Sequence, residues 1–309
     1  MANRIGLLFG MERSFPGTLA AEVNRRGQGK VACEPVNTGI LRDRKLGYDL
    51  ILDRISHDVP FYRTFLKQAM FRGTQVINNP FWWSADDKYF GCLVASECDV
   101  AVPKTVLLPH KTHPTGTTAD SFSNLRFPLE WEEMFDYLGF PIYLKPSSGG
   151  GWKHVYRCTG PQEFFAAFSK TGDLCMMAQE EIVFTEYFRC YVIGREHVHL
   201  MRYDPKRSHF ERYVKDGPPI EKGLKEKLVR DALALCRNLG YDFNTCEFAV
   251  RDGVPYAIDF TNPCPDAEPA SVGQENFKWV LDRAADMLIR RAKNPVPFEM
   301  TGSWPERLK

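Results

Sequence analysis

Two segments of this 309-residue chain combine residue types at spacings that point to one chemistry. The segment IYLKPSSGGGW, residues 142–152, sets Lys145 just before a run of Ser and Gly. Such a run lets backbone N–H groups turn toward an anion without interference from Cβ atoms. Further along, CEFAVRDGVPYAIDFTNPCPD, residues 246–266, supplies carboxylate and amide oxygens, the hard ligands that suit Mg²⁺. Together the two segments predict a site for ATP and Mg²⁺.

The glycine loop also has simpler interpretations than phosphate binding. In an apolar strand, the cost of burying a lysine ammonium is offset when the ammonium pairs with an anion. The alternatives are a lysine whose head lies in water and a loop that is simply flexible. The segment does not fit GxxxxGK[ST], and no GxGxxG follows the first strand, so the P-loop and Rossmann patterns are not supported. The candidate phosphate-binding residues of the loop are Ser147, Ser148, Gly149, Gly150 and Gly151.

The metal ligands are predicted on two neighbouring strands joined by a tight turn. Glu247 and Asp259 are spaced so that their carboxylates can face one another across the strand pair. Like charges in that position destabilise a sheet unless a cation lies between them, and burial of these apolar strands raises the cost. Asn262 is the predicted third ligand. The alternative is that each acid pairs with an arginine, such as Arg189 or Arg202.

An arginine ends the predicted strand YDLIL. Arg54 lies at the carboxyl end of an α/β strand, where ligands usually bind, and its planar fork suits a substrate carboxylate. We therefore predict that Arg54 binds substrate. An ion pair with Asp53 or Asp58 is the equally weighted alternative.

Three further arginines and one strand end are candidates for contacts with the nucleotide. Arg189, Arg202 and Arg212 are predicted on successive strands, where they could neutralise charge that develops during phosphoryl transfer. QEEIVF, residues 179–184, ends a strand and could present peptide groups to a planar base. Acidic strand ends are more often merely solvated.

Composition limits the class of protein. A hydrophobic fraction of 44% with 26% charged residues favours a globular, enzyme-like chain over disorder. Because 40 basic and 39 acidic residues nearly balance, no nucleic-acid partner is predicted. The apolar run near the N-terminus is too short for a signal sequence or a membrane span, so we expect a cytoplasmic protein without a membrane partner. Nine cysteines without a CxxC pair are expected to be reduced.

The order of predicted elements divides the chain into three parts. Short strands alternate with helices at first, with a helix capped by Ser84 that carries Lys88. Next come two strands flanking the glycine loop, with a covering helix. The last part holds a hairpin at Gly194, a strand SHFERYV, a helix over 222–239, the two metal-ligand strands and a helix over 275–292. The predicted domains are 1–101, 102–184 and 185–309.

With these pieces in order, the chain resembles the ATP-grasp superfamily across nearly its full length. It is most similar to the branch that contains ribosomal-protein glutamate ligases and bacterial glutathione synthetases. The segments that carry the resemblance, in the order typical of the superfamily, are DDKYF with Lys88, VPKTVLLP, IYLKPSSGGGW with Lys145, QEEI followed by RCYVIG with Arg189, and CEFAV before AIDFTNP.

The resemblance implies an α+β fold in which an N-terminal α/β domain precedes two α+β subdomains that enclose the nucleotide. It implies that Lys88 and Lys145 contact the phosphates and that Glu186 lies near the ribose. It places the adenine at Glu180, Glu181 and Ile182, and Mg²⁺, with Mn²⁺ as a substitute, on Glu247, Asp259 and Asn262.

The implied activity is an ATP-dependent carboxylate–amine ligase. The terminal phosphate would pass to a carboxylate of an amino acid, peptide or other small acid, and an amine would attack the acylphosphate. The alternatives are a small-molecule kinase and a non-catalytic nucleotide-binding module. The long C-terminal helix leaves room for a homodimer.

The chain departs from the superfamily pattern at the metal site. Two residues separate Asp259 from Asn262 where one is usual, so the strand must end or bulge around Thr261 for both to face the metal. The continuation NPCPDAE is also unusual, and it makes Asp266 and Glu268 candidate ligands or substrate contacts.

Overall fold

The computed structural model describes residues 2–81, 87–208, 211–215, 217–297 and 303–307. Within them, a parallel sheet comes first in the chain, in the spatial order β2-β1-β3-β4. Because the order reverses between β1 and β3, the carboxyl ends of these two strands form the crevice where α/β sheets usually bind ligands. The strands are β1 (Asn3–Phe9), β2 (Val31–Pro35), β3 (Leu50–Arg54) and β4 (Gln75–Ile77), with helices α1 (Phe15–Gly27) and α2 (Pro60–Phe71).

Helix α3 (Lys88–Glu97) leads to a second, antiparallel sheet with the order β5-β8-β6-β7. Helices α4 (Trp131–Leu138) and α5 (Pro161–Phe168) pack against it, and Leu144 and Phe164 are fully buried in the shared core. The glycine loop connects two adjacent strands, as predicted. The strands are β5 (Thr105–Leu108), β6 (Ile142–Pro146), β7 (Tyr156–Cys158) and β8 (Met176–Glu180).

The third sheet is antiparallel in the order β10-β9-β11-β12 and lies between helices. Along its two central strands the side chains alternate between faces: Tyr191 and Phe243 face the core shared with α1 and α8, whereas Phe188 and Phe248 face α3 and α6. The elements are β9 (Glu186–Ile193), β10 (His197–Arg202), β11 (Phe243–Arg251), β12 (Val254–Asp259), α6 (Lys222–Leu239), α7 (Pro269–Val272) and α8 (Gln274–Lys293).

Some predicted elements differ from the structure. The sequence SHFERYV is not a strand in its described part, where Tyr213 makes only an isolated bridge with Tyr203. The predicted cap Ser84 lies outside the described residues. Helix α3 begins instead after Asp87, whose side chain accepts a hydrogen bond from the backbone N of Phe90 at 2.8 Å.

The predicted hairpin is confirmed. The hairpin turn at Gly194 joins β9 to β10, with φ of 67° at the glycine. All nine cysteines are free. The three sheets fall within the predicted segments 1–101, 102–184 and 185–309, whose boundaries stay a prediction. None of the described helices combines the length and the apolar character that crossing a membrane requires.

Candidate nucleotide and metal site

A β-bulge brings the two predicted metal-binding acids to one face of the third sheet. Glu247 pairs with Asp259, but its neighbour Phe248 pairs with Ala257, so Ile258 is the extra residue. Without the bulge, Ile258 would stand opposite Glu247 and Asp259 would point to the other face. The carboxylates are therefore opposite one another, and strand β12 ends at Asp259.

Glu247 is held by two neighbours from strand β9. The Tyr187 hydroxyl donates to Glu247 Oε2 at 2.7 Å, and Arg189 Nη2 lies 3.3 Å from Oε1. Burial raises the pKa of Glu247, Asp259 adds to the rise, and Arg189 and Tyr187 oppose it. The predicted alternative of an arginine partner is thus also realised for Glu247, whose arginine is Arg189.

Two lysines from different elements meet these acids. Lys88 Nζ lies 3.8 Å from Asp259 Oδ2, and the Lys88 backbone N donates to the Ser147 carbonyl at 2.8 Å. Helix α3 can approach closely because Gly91 has no side chain: a Cβ there would lie 3.3 Å from the Phe260 ring. The helix therefore connects the glycine loop to the strands that carry Glu247 and Asp259.

Lys145 belongs to the same group of charges. Burial lowers its pKa, nearby Lys88 lowers it further, and Asp259 and Glu247 oppose the shift. A half-buried ammonium beside a second ammonium is an unfavourable arrangement that an added anion would relieve. The strand and the helix thus place both predicted phosphate-binding lysines around the two carboxylates.

The glycine loop is anchored at one end and open beyond it. Both the backbone N and the hydroxyl of Ser147 donate to the Cys175 carbonyl, at 2.9 and 3.1 Å. Residues 148–151 are exposed, and Gly149 and Gly151 have φ of 80° and 73°, which favour glycine. An exposed loop in this conformation can turn N–H groups toward a bound phosphate.

Asn262 returns to the carboxylate face after the strand has ended. Its backbone N donates to Asn244 Oδ1 at 2.7 Å, and its side-chain Nδ2 donates to Thr245 Oγ1 at 3.3 Å. Thr245 is two residues before Glu247 and shares its face of the sheet. The strand therefore ends before Asn262, as predicted.

The ligand set fits a hard divalent ion. The described part of the chain has no group of three or more His, Cys, Asp or Glu residues suited to a metal. Two carboxylates and one amide oxygen are too few for a closed protein cage, but they suit Mg²⁺, which keeps waters and binds substrate phosphates as well. Mn²⁺ prefers the same oxygen ligands.

Asp266 and Glu268, the candidate ligands downstream, are used inside the protein. The Asp266 carboxylate accepts from the Ser271 hydroxyl and from the Glu268 backbone N. Glu268 accepts from the backbone N of Ser14 and Phe15 at the start of α1, where no side chain of the helix itself forms a cap. Both carboxylates thus have partners within the protein, and their predicted contact with a metal or a substrate stays a prediction.

The predicted adenine segment has its carboxylates already paired. Glu181 forms a bidentate pair with Arg157, whose hydrogen bonds lower the Glu181 pKa. Glu180 accepts from the Lys104 backbone N, and the backbone N–H groups of both glutamates bond to carbonyls. Ile182 is buried. Any contact with a base would therefore come from the remaining backbone groups of this segment, and its role stays a prediction.

Of the three predicted catalytic arginines, the structure does not bring Arg202 to the two carboxylates. It pairs with Phe188 across the strands and its guanidinium covers the Phe188 ring, on the face opposite Arg189. It also bonds Glu186 at 2.5 Å, so the predicted ribose ligand already has a cation. Arg212 lies on the Glu247 side, where it opposes the rise in the Glu247 pKa.

Arg54 also has a different partner from those predicted. Its fork binds Glu12, with Nε–Oε2 and Nη2–Oε1 distances of 2.7 and 2.6 Å, and it donates to the Pro265 carbonyl at 2.6 Å. Neither Asp53 nor Asp58 is this partner. Arg54 is buried and the Glu12 side chain is 15% exposed, so the group predicted to bind a substrate carboxylate already holds a carboxylate of the protein.

Four residues of the site were not predicted. Tyr187 and Tyr213 contact Glu247 and Arg189, and Asn244 and Thr245 contact Asn262. The spacing of Tyr187 and Arg189 by two residues in a strand was a signal for a shared face. The pairing of Asn244 with a loop eighteen residues away had no comparable signal.

Comparison with known proteins supports the fold. A D-alanine–D-alanine ligase from Bacillus anthracis, in complex with ATP, has a TM-score of 0.66 at 18% identity, with 96% of this chain and 100% of that chain covered. The VanG D-Ala:D-Ser ligase of Enterococcus faecalis gives 0.66 at 15%, covering 94% and 100%. A RimK domain ATP-grasp protein from Sphaerobacter thermophilus gives 0.64 at 16%, covering 94% and 98%.

Sequence comparison adds a partial match. Pyruvate carboxylase 1 of Caenorhabditis elegans is 28% identical in an alignment of 143 positions that covers 41% of this chain and 12% of that protein. The chain thus spans only a small part of that relative's length. No family model matches the chain. The structural similarities show that the chain has the ATP-grasp fold, and the predicted fold class is confirmed.

Proposed function

We propose that the chain is an ATP- and Mg²⁺-dependent ligase that joins a carboxylate to an amine through an acylphosphate. The observation that carries the proposal is the meeting of Lys88, Asp259 and Glu247, which come from a helix and two strands. Opposite carboxylates beneath two lysines have little structural use without a nucleotide and its metal.

Each part of the site has a task in this proposal. Lys88, Lys145 and the loop 147–151 bind the phosphates, and Glu247, Asp259 and Asn262 hold Mg²⁺. With an ion held there, these residues would help to offset the negative charge of the phosphates. Arg189 and Arg212 stabilise charge on the transferred group. The segment 180–182 contacts the base and Glu186 the ribose, after release from Arg202.

The chemistry follows from activation of a carboxylate. A carboxylate is a poor electrophile until phosphorylation turns one of its oxygens into a leaving group. The protein positions the two reactants and neutralises charge, and it needs no covalent nucleophile of its own. Two of the compared structures are named as ligases of small amino acids, which favours a small carboxylate and a small amine as substrates.

A phosphate-release screen tests the proposal. The chain is incubated with ATP, Mg²⁺ and crossed pools of carboxylates and amines, and products are identified by mass spectrometry. We expect phosphate release that requires both pools and yields an amide, and its loss in Asp259→Asn. A stable phosphorylated product without an amine would indicate a kinase instead. No ATP turnover with any pool would contradict catalysis.

A further inference from the structure

A fully buried asparagine bridges the end of strand β12 to strand β11. Asn244 has no exposed surface, yet it faces the apolar core between the third sheet and helix α6. A buried amide is costly unless its donor and acceptor are both satisfied. Its partners therefore indicate what it stabilises.

Both ends of the Asn244 amide bond to the chain after Asp259. Its Nδ2 donates to the Phe260 carbonyl at 2.7 Å, and its Oδ1 accepts from the Asn262 backbone N at 2.7 Å. Strand pairing has already ended at Asp259. The amide thus supplies the donor and acceptor that a neighbouring strand would have supplied, and it fixes the backbone on both sides of Thr261.

This bridge shows how the chain accommodates two residues, and not the usual one, between Asp259 and Asn262. In a continued strand, strict alternation would send these two side chains to opposite faces. Because the Asn244 amide holds residues 260 and 262 outside a regular ladder, the Asn262 side chain can reach Thr245 on the Glu247 face. The contact lies on the opposite side of the sheet from the carboxylates, so Asn244 itself cannot touch a bound ion.

We propose that Asn244 is a positioning residue that sets Asn262 as the third ligand of the metal, an inference that rests on the proposed function. Groups that orient metal ligands usually change metal affinity by about 10–100-fold when removed. Asn244 also lies 3.3 Å from Cys236 Sγ, so a purely structural role in the core is the competing explanation.

The test measures metal-dependent nucleotide binding, independently of turnover. Calorimetry gives the affinity for ATP in the presence of Mn²⁺ and in the presence of EDTA. The affinity with Mn²⁺ divided by the affinity with EDTA measures the contribution of the metal to binding. In Asn244→Leu we expect this ratio to fall by about 10-fold or more, with metal-free affinity unchanged. Asn244→Asp keeps the acceptor for the Asn262 backbone N, so its affinity ratio should fall less than that of Asn244→Leu. This variant replaces Asn244→Leu in the test if the leucine variant does not fold.

A double-mutant comparison separates positioning from general damage. If Asn244 acts through Asn262, the variant Asn244→Leu/Asn262→Ala should lose no more of the ratio than Asn262→Ala alone. Asn78→Leu is the matched control, because Asn78 is a buried amide that bonds the backbone of residues 242 and 243. It should lower the melting temperature and leave the ratio intact.

Three results would overturn the inference: an unchanged ratio in Asn244→Leu and Asn244→Asp, an equal fall in Asn78→Leu, or a further multiplicative fall in the double variant. If the wild-type chain binds no Mn·ATP, the inference and the proposed function both fail. If it binds Mn·ATP but ligates nothing, only the proposed function fails, and the ratio still decides the role of Asn244.

Discussion

Two clusters of acids and arginines in this molecule look alike in sequence and differ in structure. In the first, Arg54 binds one carboxylate, that of Glu12, through two bonds and lies over the Phe15 and Phe243 rings. In the second, Glu247 and Asp259 face one another, and Arg189 reaches only Glu247, at 3.3 Å.

The two clusters differ in how accessible they are to a ligand. The Arg54 fork and its acid are matched in charge and geometry, and at 2% and 15% side-chain exposure they leave little room for a ligand. The second cluster sets two like charges together, and the Asp259 side chain is 45% exposed beneath Lys88. A closed pair indicates a structural role, whereas opposed charges at an open edge indicate a site that a ligand completes.

The comparison is tested most strongly by removing Arg54. Arg54→Ala leaves the Glu12 carboxylate without its cation, which should lower the free energy of unfolding by about 3–5 kcal/mol. Urea denaturation measures this, and Arg4→Ala, which breaks an exposed ion pair of the same sheet, should change stability far less. If ATP affinity fell while stability held, Arg54 would be a ligand-binding residue after all.

The second prediction concerns an acid of the open cluster. Asp259→Asn removes one charge of the proposed metal site and should lower Mg²⁺-dependent ATP binding by about 100-fold, with stability nearly unchanged because a like-charge contact is relieved. Calorimetry and thermal denaturation measure the two effects. Asp252→Asn, in the exposed turn of the same hairpin, is the control. Unaltered binding in Asp259→Asn would remove this residue from the metal site.

A smaller effect is expected for the lysine of the glycine loop. Lys145→Ala should weaken binding of ATP by about 10-fold, because one charge-assisted contact to phosphate is lost. Relief of the repulsion from Lys88 should keep the fold stable. Lys170→Ala, an exposed lysine of the same predicted domain, is the matched control. Equal nucleotide affinities for Lys145→Ala and wild type would exclude the phosphate contact.

The smallest effect tests how the helix positions its lysine. Gly91→Ala places a Cβ about 3.3 Å from the Phe260 ring and should shift α3, with Lys88, by a few tenths of an ångström. We expect ATP affinity to fall by about 2- to 3-fold, as geometry is disturbed without loss of charge. Leu93→Ala, on the exposed side of α3, should have no such effect. Equal affinities of both variants with wild type would show that the close approach is not needed.

Local patterns predicted much of the fold but not all of it. The helix over 222–239 and the strands of the third sheet follow from apolar periodicity and turn residues, and the structure has them. Strand β2 was missed because VACEP is short and ends in proline. In the described residues of SHFERYV, where a strand was predicted, Tyr213 forms only an isolated bridge with Tyr203.

The site was predictable where residue type alone restricts the chemistry. Glu247, Asp259 and Lys145 were proposed from their residue types and spacing, and Lys88 from the resemblance to a known superfamily; the fold brings the four together. The partner of Arg54 was not predictable, because Glu12 lies forty-two residues away and nothing local links them. The bulge at Ile258 was not predictable either, because a single extra residue in a strand does not change the composition of the segment.

The most direct test is a crystal structure with Mg²⁺ and a non-hydrolysable ATP analogue. The account predicts Mg²⁺ at about 2.0–2.1 Å from oxygens of both Glu247 and Asp259, and a phosphate oxygen within about 3 Å of Lys145 Nζ. A metal that avoids either carboxylate, or a nucleotide bound elsewhere on the chain, would contradict it.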